Sequence, residues 1–299
     1  MKWGKSFAEW TIGECAYISV VFSWDVDAAF SRACYYRAQG YKVFIGGPGV
    51  WHPKRREIFE GVAEYGPDYP EAVLKHNPLA TFASRGCPVG CYFCIVPKME
   101  GREFTYVVDF TPAPILCDNN LSAINPDYQD YIIARYREAG VKMIDAQSGF
   151  EPKTFSDKIY HRWRDFIREG GGPWRFAYDE TAEREEVFEM MRILRDEPAR
   201  RKRVYVLIGN EPFDDCMTRI QEVIDNGCEP HVQPYIKPIL REKRYDVRFD
   251  WTRHRLTSVA RWVNRWVWRN TPFSEYDGSM RAPRNPAPDR GYLQPSLIS

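Results

Sequence analysis

Net charge of either sign is nearly absent from this chain: 42 Lys and Arg stand against 41 Asp and Glu in 299 residues, a formal +1. The whole-chain balance therefore points to no acidic or basic partner. Long apolar runs are missing as well. The longest, near Cys15 to Phe22, is far shorter than the roughly 20 residues that span a bilayer. The opening residues, Met1-Lys2-Trp3-Gly4-Lys5-Ser6-Phe7-Ala8-Glu9, hold no apolar core of a secretory signal. No membrane association is expected. Cysteine is too sparse for a disulfide framework, with eight in a chain of this length. Free thiols fit a reducing compartment, and the expected location is cytoplasmic. Apolar residues make up 44%, enough for a sizeable core and too many for a disordered chain.

Three of the eight cysteines stand together in Thr81-Phe82-Ala83-Ser84-Arg85-Gly86-Cys87-Pro88-Val89-Gly90-Cys91-Tyr92-Phe93-Cys94, spaced C-x3-C-x2-C. A zinc site would ordinarily add a second Cys or His pair some way on, and none follows. A bacterial ferredoxin run would add a fourth cysteine before a proline, and Ile95-Val96-Pro97 supplies none. Three thiolates can hold three corners of a 4Fe–4S cluster and leave one iron open, as a catalytic metal site requires. Cys15, Cys34, Cys117, Cys216 and Cys228 show no ligand spacing and read as small buried hydrophobes. Cys117 is weighed as a fourth ligand that would close the site.

The spacing, with the aromatic Phe93 before the third cysteine and the apolar stretch Leu79 to Ala83 ahead of the loop, strongly resembles the radical S-adenosylmethionine (radical SAM) superfamily. The resemblance implies that Cys87, Cys91 and Cys94 ligate a 4Fe–4S cluster. It further implies that SAM chelates the open iron through its amino and carboxylate groups. One electron then cleaves the sulfonium and releases a 5′-deoxyadenosyl radical. The cofactor carries the hard chemistry and the protein positions it.

Along the chain, Cys15 to Phe22 reads as a buried strand, Asp25 to Gln39 as a helix stopped by Gly40, and Lys42 to Ile45 as a second strand running into Gly46-Gly47-Pro48-Gly49. That is a βαβ unit. Its glycines suit a tight turn or a phosphate approach, the turn being the plainer account. With Ile18-Ser19-Val20 and Val43-Phe44-Ile45-Gly46-Gly47-Pro48, some forty residues of this segment resemble the second half of the Rossmann-like cobalamin-binding domain that precedes some radical SAM cores, so residues 1–75 are expected to form a truncated Rossmann-like segment and its linker. That domain's Asp-x-His-x-x-Gly cobalt-ligand loop is absent, and His52 lies in Trp51-His52-Pro53. Cobalamin binding is not expected. Gly66-Pro67-Asp68-Tyr69-Pro70 is the linker candidate.

From Leu79 strands and helices alternate. Strands are predicted over Leu79–Arg85, Pro114–Cys117, Val141–Ile144, Trp174–Ala177, Arg203–Ile208 and near His231–Val232. The intervening helices are marked by Asn125 as N-cap with Pro126 and Gly140, by Lys153 to Glu169, by Thr181 as a cap, and by Asp214 to Asn226. Six βα steps argue for an α/β fold with parallel strands, a partial (β/α)6 TIM-like barrel over residues 76–236. The resemblance implies the same. Polar residues follow almost every strand, the end that carries the site in such folds.

Those residues are the site candidates. Asp118, Asn119 and Asn120 occupy the place where the family holds a Gly-Gly-Glu type motif for the SAM amino group. A carboxylate accepts strongly from a charged donor, although Asn119-Asn120 also suits a plain turn. Asp179 and Glu180 suit the SAM ribose or sulfonium side, or simply complement a helix N-terminus. Gly209 matches a family glycine approached by SAM. Gln233 is expected to meet adenine, and Phe93 to pack by the cluster or in the core. Asp145, Gln147 and Tyr235 are candidates for substrate contact.

Residues 237–270 change character, with ten Lys and Arg between Lys237 and Arg269 against three Asp and Glu. Tyr245, Phe249, Trp251, Trp262, Trp266 and Trp268 interleave with them. Basic groups with stacking aromatics suit nucleic acid. Against that, Leu256, Val259, Ala260, Val263, Trp266 and Val267 repeat at helical spacing, the mark of a helix packed on the core. Residues 271–299, rich in Pro, Gly and Ser, are expected to form a flexible tail.

The function expected is thus a radical SAM enzyme acting on an unidentified small-molecule or macromolecular substrate, served by an electron donor of flavodoxin or ferredoxin type. Methyl-type transfer to RNA or another nucleic acid is one alternative, and a non-catalytic iron–sulfur or SAM-binding protein is another. No second cysteine cluster suggests an auxiliary centre.

Overall fold

A computed structural model describes residues 5–66, 69, 72–147, 149–236 and 245–278. The chain is mixed α/β. Its N-terminal sheet has the order β1-β2-β3-β4, built from β1 (Phe7–Ile12), β2 (Cys15–Val20), β3 (Lys42–Gly46) and β4 (Glu64–Tyr65). The helix α1 (Val26–Ala38) connects β2 to β3, which are parallel, so the expected strand, helix, strand unit is present. Its logic is burial: Ala16, Ile18, Val20, Val43 and Ile45 pack with Val26, Ala29 and Ala33 of α1. The strand β1 lay outside the expected pattern. It folds back antiparallel on β2 as an edge strand whose Glu9, Thr11 and Ile12 are exposed, so little apolar alternation marks it. After the short α2 (Pro53–Arg56), the helix α3 (Ala72–His76) ties back to the start of the chain. His76 contacts the Lys5 carbonyl at 2.6 Å and the Ser19 hydroxyl at 2.9 Å. Most of the proposed linker lies outside the described residues.

Then follow β5 (Ala80–Thr81), β6 (Ser84–Arg85), α4 (Val96–Met99), β7 (Thr105–Tyr106), β8 (Ile115–Leu116), α5 (Pro126–Glu138), β9 (Asp145–Ala146), α6 (Asp157–Gly170), β10 (Trp174–Tyr178), α7 (Arg184–Ile193), β11 (Lys202–Ile208), α8 (Phe213–Asp225), β12 (Glu229–Pro234) and α9 (Arg253–Asn264). Strands β5, β8 and β9 form one parallel sheet, and β10, β11 and β12 another. The backbone joins them where the Phe150 amide donates to the Arg175 carbonyl at 2.8 Å. Among the described residues no strand closes β12 onto β5, and there is no closed barrel.

Two expected strands shift, and the helix expected from Lys153 begins at Asp157 behind the Ser156 cap. The single strand over Leu79–Arg85 divides into β5 and β6, which belong to different sheets. The third strand falls at Asp145–Ala146 rather than Val141–Ile144, the latter serving as its lead-in. Caps behave as their chemistry dictates: Asn125 accepts from the Asp127 amide at 2.9 Å ahead of Pro126. At the fourth crossover Glu180, not Thr181, is the cap, in a reciprocal box with Glu183.

The register of β10, β11 and β12 separates two faces. Trp174, Phe176, Tyr178, Val204, Val206 and Val232 join the apolar core under the helices. Arg175, Ala177, Arg203, Tyr205, Leu207, Glu229, His231 and Gln233 take the opposite face. The helix α9 packs on β12, burying Leu256, Val259, Ala260, Trp262 and Val263. The chain after Thr271 begins packed, with the Phe273 ring 5.4 Å from that of Trp262. Its remainder beyond residue 278 lies outside the described residues. No helix among the described residues is long and apolar enough to cross a membrane.

Candidate functional site

The cysteine loop is the insertion of a hairpin. β6 and β7 pair antiparallel, Ser84 with Tyr106 and Arg85 with Thr105, and residues 86–104 emerge between them. The hairpin neck is held by one carboxylate. Glu100 pairs with Arg85, accepts from the Gly86 amide at 3.0 Å and accepts from the Asn119 side-chain amide at 2.7 Å. Gly86 has φ of +94°, and a Cβ there would run into the Glu103 carbonyl, so only glycine fits. The Cys94 amide bonds the Cys91 carbonyl at 3.1 Å, and the Cys87 amide reaches the Gly101 carbonyl at 3.3 Å. All three thiols are half-buried.

The residues after β8 divide the work. Asp118 is fully buried, and both its oxygens are engaged within the protein. It accepts from the Ala83 amide at 2.7 Å and from the Ser84 hydroxyl at 2.5 Å. It therefore braces the strand leading to the loop and offers no open oxygen toward a SAM ammonium. Burial pushes it up to about 6 against the lowering effect of those bonds. Asn119 belongs to the neck. Asn120 points its amide nitrogen to Cys87 Sγ at 4.0 Å. Its carbonyl oxygen accepts from the Ser122 hydroxyl at 2.9 Å and the Ala123 amide at 3.2 Å, which fixes the orientation. Cys117 is raised to about 12 by burial, then by Asp118 and Asp145, which suits an inert thiol.

Acids collect on the other side of the loop. Glu183 at the start of α7 accepts from the Asp179 amide at 2.9 Å and the Glu180 amide at 3.2 Å, and pairs with Lys153 at 2.9 Å. The Asp179 carboxylate has no hydrogen bond or ion pair among the described residues. Burial, then Glu183, raises it to about 7. Burial, then Glu183, also raises Glu151 to about 6. Burial, then the Glu151 charge, pushes Cys91 up to about 12, with Cys94 and Asp179 adding to it. Glu180 is half-buried and raised by burial, then by Glu183.

Tyr92 carries the loop across to the last strands. It is 52% exposed, and its charge interactions run to Glu180, Tyr235 and Arg248. Phe93 meets it edge-on at 5.2 Å and is half-buried. Asn210 donates to the Asp179 carbonyl at 2.6 Å. Gly209 has φ of +87°, and the neighbour its Cβ would meet is Leu256 of α9 at 3.0 Å. The closeness there serves helix packing. Gln233 is half-buried on the face of β12 opposite the apolar core, and buried Tyr235 lies under Arg248 at 5.2 Å. Asp145 is buried and held by Arg175 in a two-pronged pair at 2.5 and 2.6 Å, away from any open contact. Gln147 is half-buried, its amide on the Leu116 carbonyl at 2.8 Å.

The structure thus gathers Cys87, Cys91, Cys94, Asn120, Asp179 and Glu180 at one end of the parallel strands, and sets Asp118, Asn119 and Asp145 into supporting bonds. Sequence reasoning missed Glu100, Glu151, Glu183 and Asn210. Only Glu183 carried a local signal, its capping-box spacing. Among the described residues no three His, Cys, Asp or Glu side chains converge closely enough to hold a single metal ion. In the basic C-terminal region, Trp251 and Trp262 are buried in the core and unavailable for base stacking. No family model and no curated protein matches the chain.

Proposed function

We propose that the chain is a cytoplasmic radical SAM enzyme on a partial (β/α)6 barrel. The observation that supports this best is the C-x3-C-x2-C loop itself, clamped at its neck and set at the ends of the parallel strands beside an uncommitted acid, Asp179. The donor set fits a 4Fe–4S cluster. Three thiols on one loop leave a fourth corner without a protein ligand, and half-burial limits water. Cys87, Cys91 and Cys94 would hold the cluster. When bound, it supplies one electron for reductive cleavage of SAM to a 5′-deoxyadenosyl radical.

The chain's own residues set the stage. Glu100 keeps the loop neck closed through Arg85, Gly86 and Asn119. Asn120 directs an amide at Cys87 Sγ, a donor that favours the thiolate. Asp179 offers a carboxylate to the ribose hydroxyls or the sulfonium side of SAM, and Tyr92 with Tyr235 lines the edge toward β12. An electron donor of flavodoxin type and an unidentified substrate complete the reading.

The test is anaerobic reconstitution with iron and sulfide, then dithionite and SAM. Release of 5′-deoxyadenosine that disappears in Cys91→Ala is the expected result. A reconstituted native chain that never cleaves SAM sinks the proposal in favour of a non-catalytic iron–sulfur protein.

A further inference from the structure

The face of the second sheet opposite its apolar core residues is arranged in rows. Nearest the strand starts stand Arg175, Arg203 and Glu229, then Ala177, Tyr205 and His231, then Leu207 and Gln233. Bulky branched apolar side chains ordinarily fill such a face. Here the first row is a floor of ion pairs, while Tyr205, His231, Leu207 and Gln233 above it remain half-exposed.

The floor is unevenly charged. Arg175 pairs with Asp145 from β9 and also reaches the Tyr205 hydroxyl. Arg203 pairs with Glu229 at 3.2 Å, and Arg269 reaches the same carboxylate at 2.8 Å. Among the described residues three guanidiniums, Arg175, Arg203 and Arg269, therefore stand with the carboxylates of Asp145 and Glu229. His231 lies among them with its ring 5.0 Å from that of Tyr205, edge to face. Its nitrogens make no hydrogen bond among the described residues. Burial, then Arg203 and Arg175, pushes it down to about 3, so the ring is neutral in water near pH 7. At the far end of the strands the sign reverses, because Glu151, Asp179 and Glu183 crowd the thiols.

We propose that this face receives an anionic group of the substrate, a carboxylate or a phosphate, at His231 and Tyr205 above the Arg175 and Arg203 floor. The word substrate rests on the radical SAM reading; the anion site does not. His231 and Tyr235 are four steps apart along the chain, about 13 Å at roughly 3.3 Å per step. Tyr235 interacts with Tyr92 of the cysteine loop. A substrate anchored by its anion thus extends along the strand toward the thiols, and its reactive carbon lies at the end opposite its charge.

The probes are inorganic phosphate and acetate, each titrated against chloride at matched ionic strength. The full chain carries carbon-13 labelled histidine, and the His231 signal is assigned by its loss in His231→Gln. Either anion should shift that signal and raise its titration midpoint, since an anion beside the ring favours the imidazolium. The stronger response identifies the source, phosphate ester or carboxylate. Gln233→Glu adds a like charge on the half-exposed approach and should weaken binding about tenfold. A His231 signal unmoved by both anions in a folded native chain overturns the proposal, as does an equal response in Gln233→Glu. Failure of the radical SAM reading registers separately, as absent 5′-deoxyadenosine with anion binding intact.

Discussion

Glu100 closes the cysteine-loop neck by satisfying three donors at once, so its removal affects both fold and loading. In Glu100→Ala the Arg85 guanidinium and the Gly86 amide lose their shared acceptor. The expected cost is about 1–3 kcal/mol in urea unfolding, with lower iron content after reconstitution. Glu100→Gln keeps an acceptor oxygen and should fall between. Asp145 is a sharper case, because its partner Arg175 is only 1% exposed. Asp145→Ala leaves that charge buried with its strongest partner gone, and a loss of about 3–5 kcal/mol is expected by urea unfolding. Both acids were hard to read from sequence. Asp118 and Asp145 follow the strands expected from sequence and look like ligands, and a carboxylate is a strong acceptor in either role. Which donor reaches it, Ser84 and Ala83 or an ammonium, is a tertiary fact.

At the scale of elements, the local signals that were legible are those made by neighbouring residues. The Asn125 cap, Pro126 and the stop at Gly140 mark α5, and the apolar stripe of α9 packs as its spacing implies through Val263, while the helix ends at Asn264 and Trp266 turns left-handed beyond it. The interruption of the first strand was not legible. Leu79 to Arg85 reads as one run, yet β6 turns away to pair with β7, whose partner residues lie beyond the cysteine loop. Pairing across that distance leaves no periodic trace. The aromatics of the basic region show the same limit. Composition alone suits nucleic acid, but Trp251 and Trp262 are spent on packing, with Trp262 donating to the Thr271 carbonyl at 2.8 Å.

At the scale of the whole molecule, two apolar clusters hold the described residues, one within residues 16–59 and one from residue 83 to 267. The larger surrounds a sheet whose second face is polar, and this has a consequence for acid stability. His231 has its ordinary value of 6.5 in the unfolded chain and about 3 in the folded one. The unfolded chain therefore binds a proton that the folded chain refuses. The contribution is fully present above about pH 6.5 and is lost as pH falls toward 3, by up to about 1.4 kcal/mol per pH unit. Across that window His231→Gln should lose less stability than the native chain. Urea midpoints measured at several pH values check the difference, and parallel curves for the two chains would count against a neutral His231.

The sequence by itself determined the three-thiol spacing, the alternation of strand and helix, and the polar residues at the strand ends. These depend on covalent order and on periods of a few residues, so they survive without coordinates. Only the tertiary structure decided which polar residues stay open. It placed Asp118, Asn119 and Asp145 in supporting bonds and brought Glu100, Glu151 and Glu183 to the loop. It also aligned Arg175, Arg203, Tyr205 and His231 on one face. The physical reason is that a polar group's role is set by the partner that satisfies it, and those partners lie far away in the chain.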